Sequence, residues 1–299
     1  MLTRIISGAV GVAIMIVVFI FHDTILLPIM VAAMIAVMLF ELLRAVNMHK
    51  CLPVLIASEI CGIAKPFIYN DYFDTWVYDT YAYKDLKFPI ETKIHYINGK
   101  VGSIAFALTL ICVLVVFVTW LKKHKELEYK QIFFTLAVMV IVPQAMSTMV
   151  LINNCSDKNG LFYLIIGLCG AWIADTGAYF TGVAIGKHKL CPEISPKKTV
   201  EGFIGGILST GIVYAVAFCV YYSGFHFGVA VFAFFMGAVC AVIGTVGDLS
   251  ASMVKRQIGF KDYGKIMPGH GGLMDRFDSV LFVLPTFYTF IVFYTFNAL

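Results

Sequence analysis

Charge is scarce in this chain. Only 13% of its 299 residues are Asp, Glu, Lys or Arg, against 60% hydrophobic. That balance excludes an ordinary soluble domain with a solvated surface. Paired cysteines are missing too. The eight cysteines stand as singles, with Cys61, Cys112, Cys169, Cys219 and Cys240 inside apolar runs, and there is no CxxC and no Cys/His cluster. A disulfide framework and a zinc site are therefore excluded, and the thiols read as small hydrophobes. No clear small-residue cleavage site follows the first apolar run, which starts at Arg4 and passes almost directly into a second run through His22 and Asp23. It reads as a retained helix, not a signal peptide. A net charge of +4 sits in loops between apolar runs. It speaks for topology and for anionic lipid or nucleotide, not for nucleic acid.

What the chain has in abundance is apolar length. Mean hydropathy is +0.88, and a helix of ~20 apolar residues crosses a bilayer. The pattern predicts an all-α, polytopic membrane protein of about nine transmembrane helices. They lie near 5–21, 24–45, 52–69, 101–121, 132–152, 161–186, 203–222, 228–252 and 277–297. The third is weakest, because Glu59 and Lys65 interrupt it and Pro53 and Pro66 flank it. With a cytoplasmic N-terminus, most Lys and Arg fall in inner loops 46–51, 122–131, 187–202 and 253–276 or at their helix ends. The first 160 residues then read as scaffold, helices one to five. Residues 161–299 form a catalytic membrane domain, helices six to nine.

Along the scaffold, Glu41 and Arg44 stand three apart at the end of the second span and read as an interfacial ion pair with Arg44 snorkelling, the alternative being a role near a lipid substrate. Residues 70–100, rich in Tyr and Asp, form the longest non-membrane segment and face outside, where aromatics settle among headgroups. Residues 122–130 are a solvated basic loop. Pro143 and Gln144 predict a kink in the fifth span.

The sixth span changes character. Asp175 lies deep in an apolar run and needs a cation, a donor or a water-filled cavity. Gly170, Gly177, Gly182 and Gly186 allow close helix packing. The following loop carries Ser195-Pro196-Lys197-Lys198-Thr199 just before a helix whose first turn holds Glu201. Cations, hydroxyls and free N–H groups at a helix N-terminus suit a phosphate chain.

The chain is organised around its last polar island, Gly247 to Asp278. Such crowding of ionisable groups beside apolar runs marks a functional site. Asp248, Ser252 and Lys255 share one helix face if the eighth helix continues that far. Asp275 and Asp278 lie three apart at the start of the last helix. Mg²⁺ takes one or two protein carboxylates and fills its octahedron with water and phosphate oxygens. Backbone N–H groups of the turns at Gly269, Gly271 and Gly272 would cradle remaining phosphate charge. The residues thus point to a metal-dependent phosphate site at a membrane surface.

The run Ser252-x-Val254-Lys255-Arg256, Lys261-Asp262-x-Gly264, Pro268-x-His270-Gly271-Gly272-x-x-Asp275-Arg276-x-Asp278 resembles the signature of the phosphatidate cytidylyltransferases, or CDP-diacylglycerol synthases. So do Asp175-Thr-Gly-Ala-Tyr179, Gly186-Lys-x-Lys-Leu190 and Ile194-Ser-Pro-Lys-Lys-Thr-x-Glu-Gly202. Two positions depart from the pattern: Met267, where Leu, Ile or Phe is usual, and Val183, where many relatives carry Arg. The matching motifs cover roughly residues 170–280. The resemblance implies the reaction of CTP with phosphatidic acid to give CDP-diacylglycerol and pyrophosphate, with Mg²⁺ as cofactor and a second cation allowed.

It implies Asp248 and Asp275 as metal ligands, with Asp278 and Asp175 behind them. Lys197, Lys198, Lys255, Arg256, Lys261 and Arg276 would hold phosphates. His270 and its glycines would shape the turn around the nucleotide, and Ser195, Thr199, Glu201, Ser252 and Asp262 complete the expected substrate contacts. It also implies an active site facing the cytoplasm, in a bacterial inner membrane by the compact loops, and admits a homodimer. Two other classes use similar parts: a CTP-dependent lipid or polyprenol kinase, which releases CDP, and a transporter. A transporter needs corresponding charged segments in two repeated halves, and here the polar motifs are confined to the C-terminal half.

Overall fold

A computed structural model describes residues 2–70, 90–155, 159–267, 269 and 271–297. The chain is built almost wholly from helices: α1 (Leu2–Ile20), α2 (Leu26–Ala45), α3 (Leu52–Ile68), α4 (Ile90–Lys122), α5 (Tyr129–Asn154), α6 (Gly160–Ile185), α7 (Val200–Tyr221), α8 (Phe227–Ile258), the short α9 (Met274–Phe277) and α10 (Val280–Asn297). Nine long helices therefore fall on the nine expected apolar runs among the described residues. Seven are long and apolar enough to cross a membrane by themselves. The exceptions are α1, whose apolar part is Ser7–Ile20, and the 17-residue α3. The chain is a polytopic membrane protein. Its only sheet among the described residues is a small antiparallel hairpin, β1 (Lys189–Cys191) and β2 (Ser195–Thr199), set inside what the sequence suggests is a plain loop. Most of the Tyr- and Asp-rich stretch, residues 71–89, lies outside the described residues, while α4 begins at Ile90, well before the expected span.

The chain divides into two compact units. The first comprises Met1–Asn154 and Tyr263–Leu273. Its α2 buries Leu27, Val31, Ile35, Met38, Leu39 and Leu42 at helical spacing, and packs on α3 and α5. Leu43, Met48, Val54, Cys61, Val116, Ile132 and Met139 form a continuous core beneath. The helix α5 runs through Pro143, whose ring lies opposite Gly62 of α3.

The second unit comprises Cys155–Asp262 and Met274–Leu299. The last polar island is thus shared: Tyr263–Leu273 is grouped with the first unit and the rest of it with the second. In this unit α6 packs along α7, α7 along α8, and α10 against α8 and α6. Small residues permit the closest of these approaches. A Cβ on Gly177 would overlap Ser209 Oγ, and one on Gly205 would overlap the Thr181 side chain, so α6 and α7 interlock in both directions. Buried Tyr214 spans the same seam and donates its hydroxyl to the Ile166 carbonyl at 3.0 Å.

Candidate active site

The end of α6, the hairpin and the start of α7 form one wall of the second unit. Thr199 ends β2 and caps α7: its side chain accepts from the Gly202 N–H at 3.1 Å, as an N-cap hydroxyl should. The hairpin register sets Lys189 opposite Thr199 and Cys191 opposite Ser195. Glu201, in the first turn of α7, folds back onto the loop that precedes the hairpin. It accepts from Lys187 N at 3.0 Å and from His188 N at 3.2 Å, and its Oε1 lies 2.6 Å from His188 Nδ1. Glu201, expected among the substrate contacts, thus also pins the loop.

This wall encloses a cavity of about 490 Å³, lined by Asp175, Tyr179, Gly182 and Val183 of α6, by Lys189, Lys197, Lys198 and Thr199 of the hairpin, and by Phe203 and Thr245. Asp175, an acid within an apolar run, thus lines a cavity that also carries three lysines. It lies within electrostatic reach of Lys198 and of Asp248 on α8. Three lysines and one carboxylate at the end of apolar helices make a cavity that favours a polyanion accompanied by a cation.

The helix α8 does run on to Ile258, so Asp248, Ser252 and Lys255 lie on one face at i, i+4 and i+7. Two ion pairs order this face. Lys198 Nζ meets Asp248 Oδ2, and Lys255 Nζ donates to Asp275 Oδ1 at 2.9 Å. Asp275 sits in α9, with its side chain only 5% exposed. Asp278, buried at the head of α10, accepts from Ser279 N at 2.8 Å and lies within electrostatic reach of Asp248, Lys255 and Asp175. Close packing of α8 on α10 causes the crowding, since a Cβ on Gly247 would sit 3.0 Å from the Asp278 carbonyl.

The second unit thus gathers Asp175, Lys197, Lys198, Thr199, Asp248, Lys255, Asp275 and Asp278 from segments far apart in sequence. Ser252 shares the Asp248 face, and Ser195 stands across the hairpin from Cys191, outside the cavity wall. Arg256, Lys261, Asp262 and Arg276 are exposed. His270 lies outside the described residues, and Gly271 and Gly272 belong to the first unit. Donor chemistry suits a hard divalent ion, which favours carboxylate oxygens and needs only one or two from protein. Among the described residues no three His, Cys, Asp or Glu side chains close a cage by themselves. The two expected metal carboxylates, Asp248 and Asp275, are each joined to a lysine.

The cytidylyltransferase family matches the chain over residues 2–294. The chain belongs to this family. The matching region takes in both units. Within the family, the chain is 44% identical over 128 residues to the phosphatidate cytidylyltransferase of Staphylococcus haemolyticus (strain JCSC1435), covering 43% of this chain and 48% of that one. It is 45% identical over 130 residues to the protein of the same name from Staphylococcus aureus (strain COL), with the same coverage. It is 45% identical over 128 residues to that of Staphylococcus epidermidis, again with 43% and 48% covered. The chain spans about half the length of the curated relatives it matches, 48% in each case.

In this cytidylyltransferase-family chain Lys189, the second lysine of the Gly186-Lys-x-Lys-Leu190 run, lines the cavity; its place opposite Thr199 in the hairpin was not legible, because three-residue strands leave too little periodicity to read. Glu41 was missed as a buried group. It was expected to pair with Arg44 at an interface, yet it is 4% exposed and accepts the Leu273 N–H at 3.1 Å.

Proposed function

We propose that this protein is a phosphatidate cytidylyltransferase, joining CTP and phosphatidic acid to give CDP-diacylglycerol and pyrophosphate. The observation that carries this reading is the cavity where Lys189, Lys197 and Lys198 face Asp175, with Asp248 beside them, at the end of apolar helices. Membership of the cytidylyltransferase family and the name of the staphylococcal relatives support the same reading.

In this mechanism an oxygen of the lipid phosphate attacks the α-phosphorus of CTP, in line with the departing pyrophosphate. That oxygen is already anionic near neutral pH, so no general base is needed. Catalysis then rests on alignment and on neutralising phosphate charge. Lys197, Lys198 and Lys189 supply cations to the triphosphate, and Lys255 does the same beside Asp275. Binding a phosphate chain lets Lys198 exchange a carboxylate partner for phosphate oxygens. Asp248, with Asp275 or Asp278, would hold a divalent ion such as Mg²⁺. When bound, such an ion supplies Lewis-acid stabilisation of charge on the phosphoryl oxygens. The apolar side chains of Val183 and Phe203 in the cavity wall suit a lipid that brings its headgroup to the lysines from within the bilayer. The proposed site faces the cytoplasm of a bacterial cell, where CTP is found.

The test uses the purified protein in lipid nanodiscs with labelled CTP, phosphatidic acid and Mg²⁺, with and without excess EDTA. The expected products are a CMP-bearing lipid and pyrophosphate, lost with the chelator. Release of CDP with a newly phosphorylated lipid would assign a kinase instead, and turnover that survives EDTA would remove the metal from the scheme.

A further inference from the structure

The lysines of the cavity all ride on one small element of the second unit. Lys189 stands on β1, and Lys197 and Lys198 stand on β2. A two-stranded hairpin is marginally stable by itself in water, so its placement depends on what grips it. Its strands meet at Lys189–Thr199 and Cys191–Ser195, and Ile194 N–H closes the turn on the Cys191 carbonyl at 3.3 Å. Those bonds hold the strands to each other, not to the helices.

The grip lies at the root. Only Gly186, Lys187 and His188 separate α6 from β1, and the start of α7 engages both backbone groups of His188. The His188 carbonyl accepts from Val200 N–H at 2.9 Å, and its N–H donates to Glu201 Oε2 at 3.2 Å. Lys187 N–H donates to the same oxygen at 3.0 Å, while Glu201 Oε1 lies 2.6 Å from His188 Nδ1. From the other side, Gly186 lets α6 close on the end of β2. A Cβ there would come within 2.3 Å of the Gly182 carbonyl oxygen and 2.8 Å of Thr199 Oγ1. An acid in the first turn of a helix is ordinary, since it complements the helix dipole. This one does more, because its oxygens bridge to the segment that launches β1.

A second hold lies along β2, where Lys198 is paired with Asp248 on α8. A phosphate chain entering the cavity would compete for that same ammonium, because Lys198 lines the wall. Once Lys198 turns to phosphate, the root carries the hairpin's placement. Glu201 is not among the residues lining the cavity. A carboxylate turned toward phosphate oxygens would also repel them.

We propose that Glu201 is a positioning residue that anchors the root of the hairpin and so holds Lys189, Lys197 and Lys198 in the cavity wall. It acts on the triphosphate through those lysines. The catalytic consequence rests on the proposed cytidylyl transfer; the anchoring does not.

The experiment compares wild type, Glu201→Ala, Glu201→Gln and Gly186→Ala, each as full chain in nanodiscs. Amide hydrogen exchange is followed over residues 186–201 and over the interiors of α6, α8 and α10, alongside kinetics in CTP and Mg²⁺. In Glu201→Ala, exchange should rise about tenfold in the hairpin and its root, with the helix interiors unchanged. KM for CTP should rise about tenfold while kcat falls less than about threefold, the pattern of lost substrate binding. The Mg²⁺ requirement should stay as in wild type. Glu201→Gln keeps one acceptor oxygen and should recover part of both effects, and Gly186→Ala, which forces the root apart, should reproduce them. Unchanged exchange over the hairpin in Glu201→Ala would overturn the proposal, and so would a rise spread equally through α6, α8 and α10. A raised Mg²⁺ requirement, with Glu201→Gln as impaired as Glu201→Ala, would overturn it too, by making the carboxylate a metal or phosphate contact. If Glu201→Ala does not accumulate in the membrane, Glu201→Gln and Gly186→Ala decide by the same readings. If wild type shows no CTP turnover, the proposed function fails while the exchange data still decide the anchoring role of Glu201.

Discussion

Replacing Lys255 by methionine should separate the structural from the chemical part of the second unit. The Lys255 Nζ lies 2.9 Å from Asp275 Oδ1, and the two side chains are 13% and 5% exposed. Water therefore cannot compensate for a lost partner. Methionine fills most of the lysine's volume while removing its charge, so packing changes little and Asp275 keeps a buried charge without its ammonium. Removing one partner of a buried pair costs about 3–5 kcal/mol. At the lower end, the ratio of folded to unfolded protein falls by roughly two orders of magnitude. The second substitution, Asp275→Asn in the same chain, removes the carboxylate charge that Lys255 balanced and should restore more than half of that loss. Equilibrium unfolding in mixed micelles measures both. Activity should not follow stability: in the proposed mechanism Lys255 would neutralise phosphate and Asp275 would help hold the metal, so the single and the double variant should both fail to make lipid product. The reasoning is refuted if Lys255→Met costs less than about 1 kcal/mol, or if the double variant is no more stable than the single.

Other outcomes follow from the same geometry. Lys198→Ala removes both the Asp248 partner and one cavity cation. A charge-assisted contact contributes about 1.5–3 kcal/mol, so KM for CTP should rise by roughly ten- to a hundredfold. An unchanged KM would take Lys198 out of the site. Gly177→Val forces a side chain into Ser209 at the α6–α7 seam. It should cost about 1–3 kcal/mol by overpacking, partly relieved by Ser209→Gly. A neutral effect in thermal unfolding would show that this seam has slack.

The apolar runs alone determined that this chain is helical and crosses a membrane, because a backbone in hydrocarbon must satisfy its own hydrogen bonds within each span. Local spacing was enough for Asp248, Ser252 and Lys255, since they sit on one continuous helix. It was also enough for Asp175, whose charge in an apolar run demanded a polar cavity. Tertiary structure alone decided the rest. Lys198 reaches Asp248 across 50 residues and Leu273 reaches Glu41 across 232, and no periodicity encodes contacts between segments so far apart. The same holds for Glu201, whose hydrogen bonds to the 187–188 backbone no local spacing encodes. Residue type says what chemistry a side chain can do. Which partner it meets depends on how helices pack, and that is settled only when glycine seams and buried charges are satisfied together.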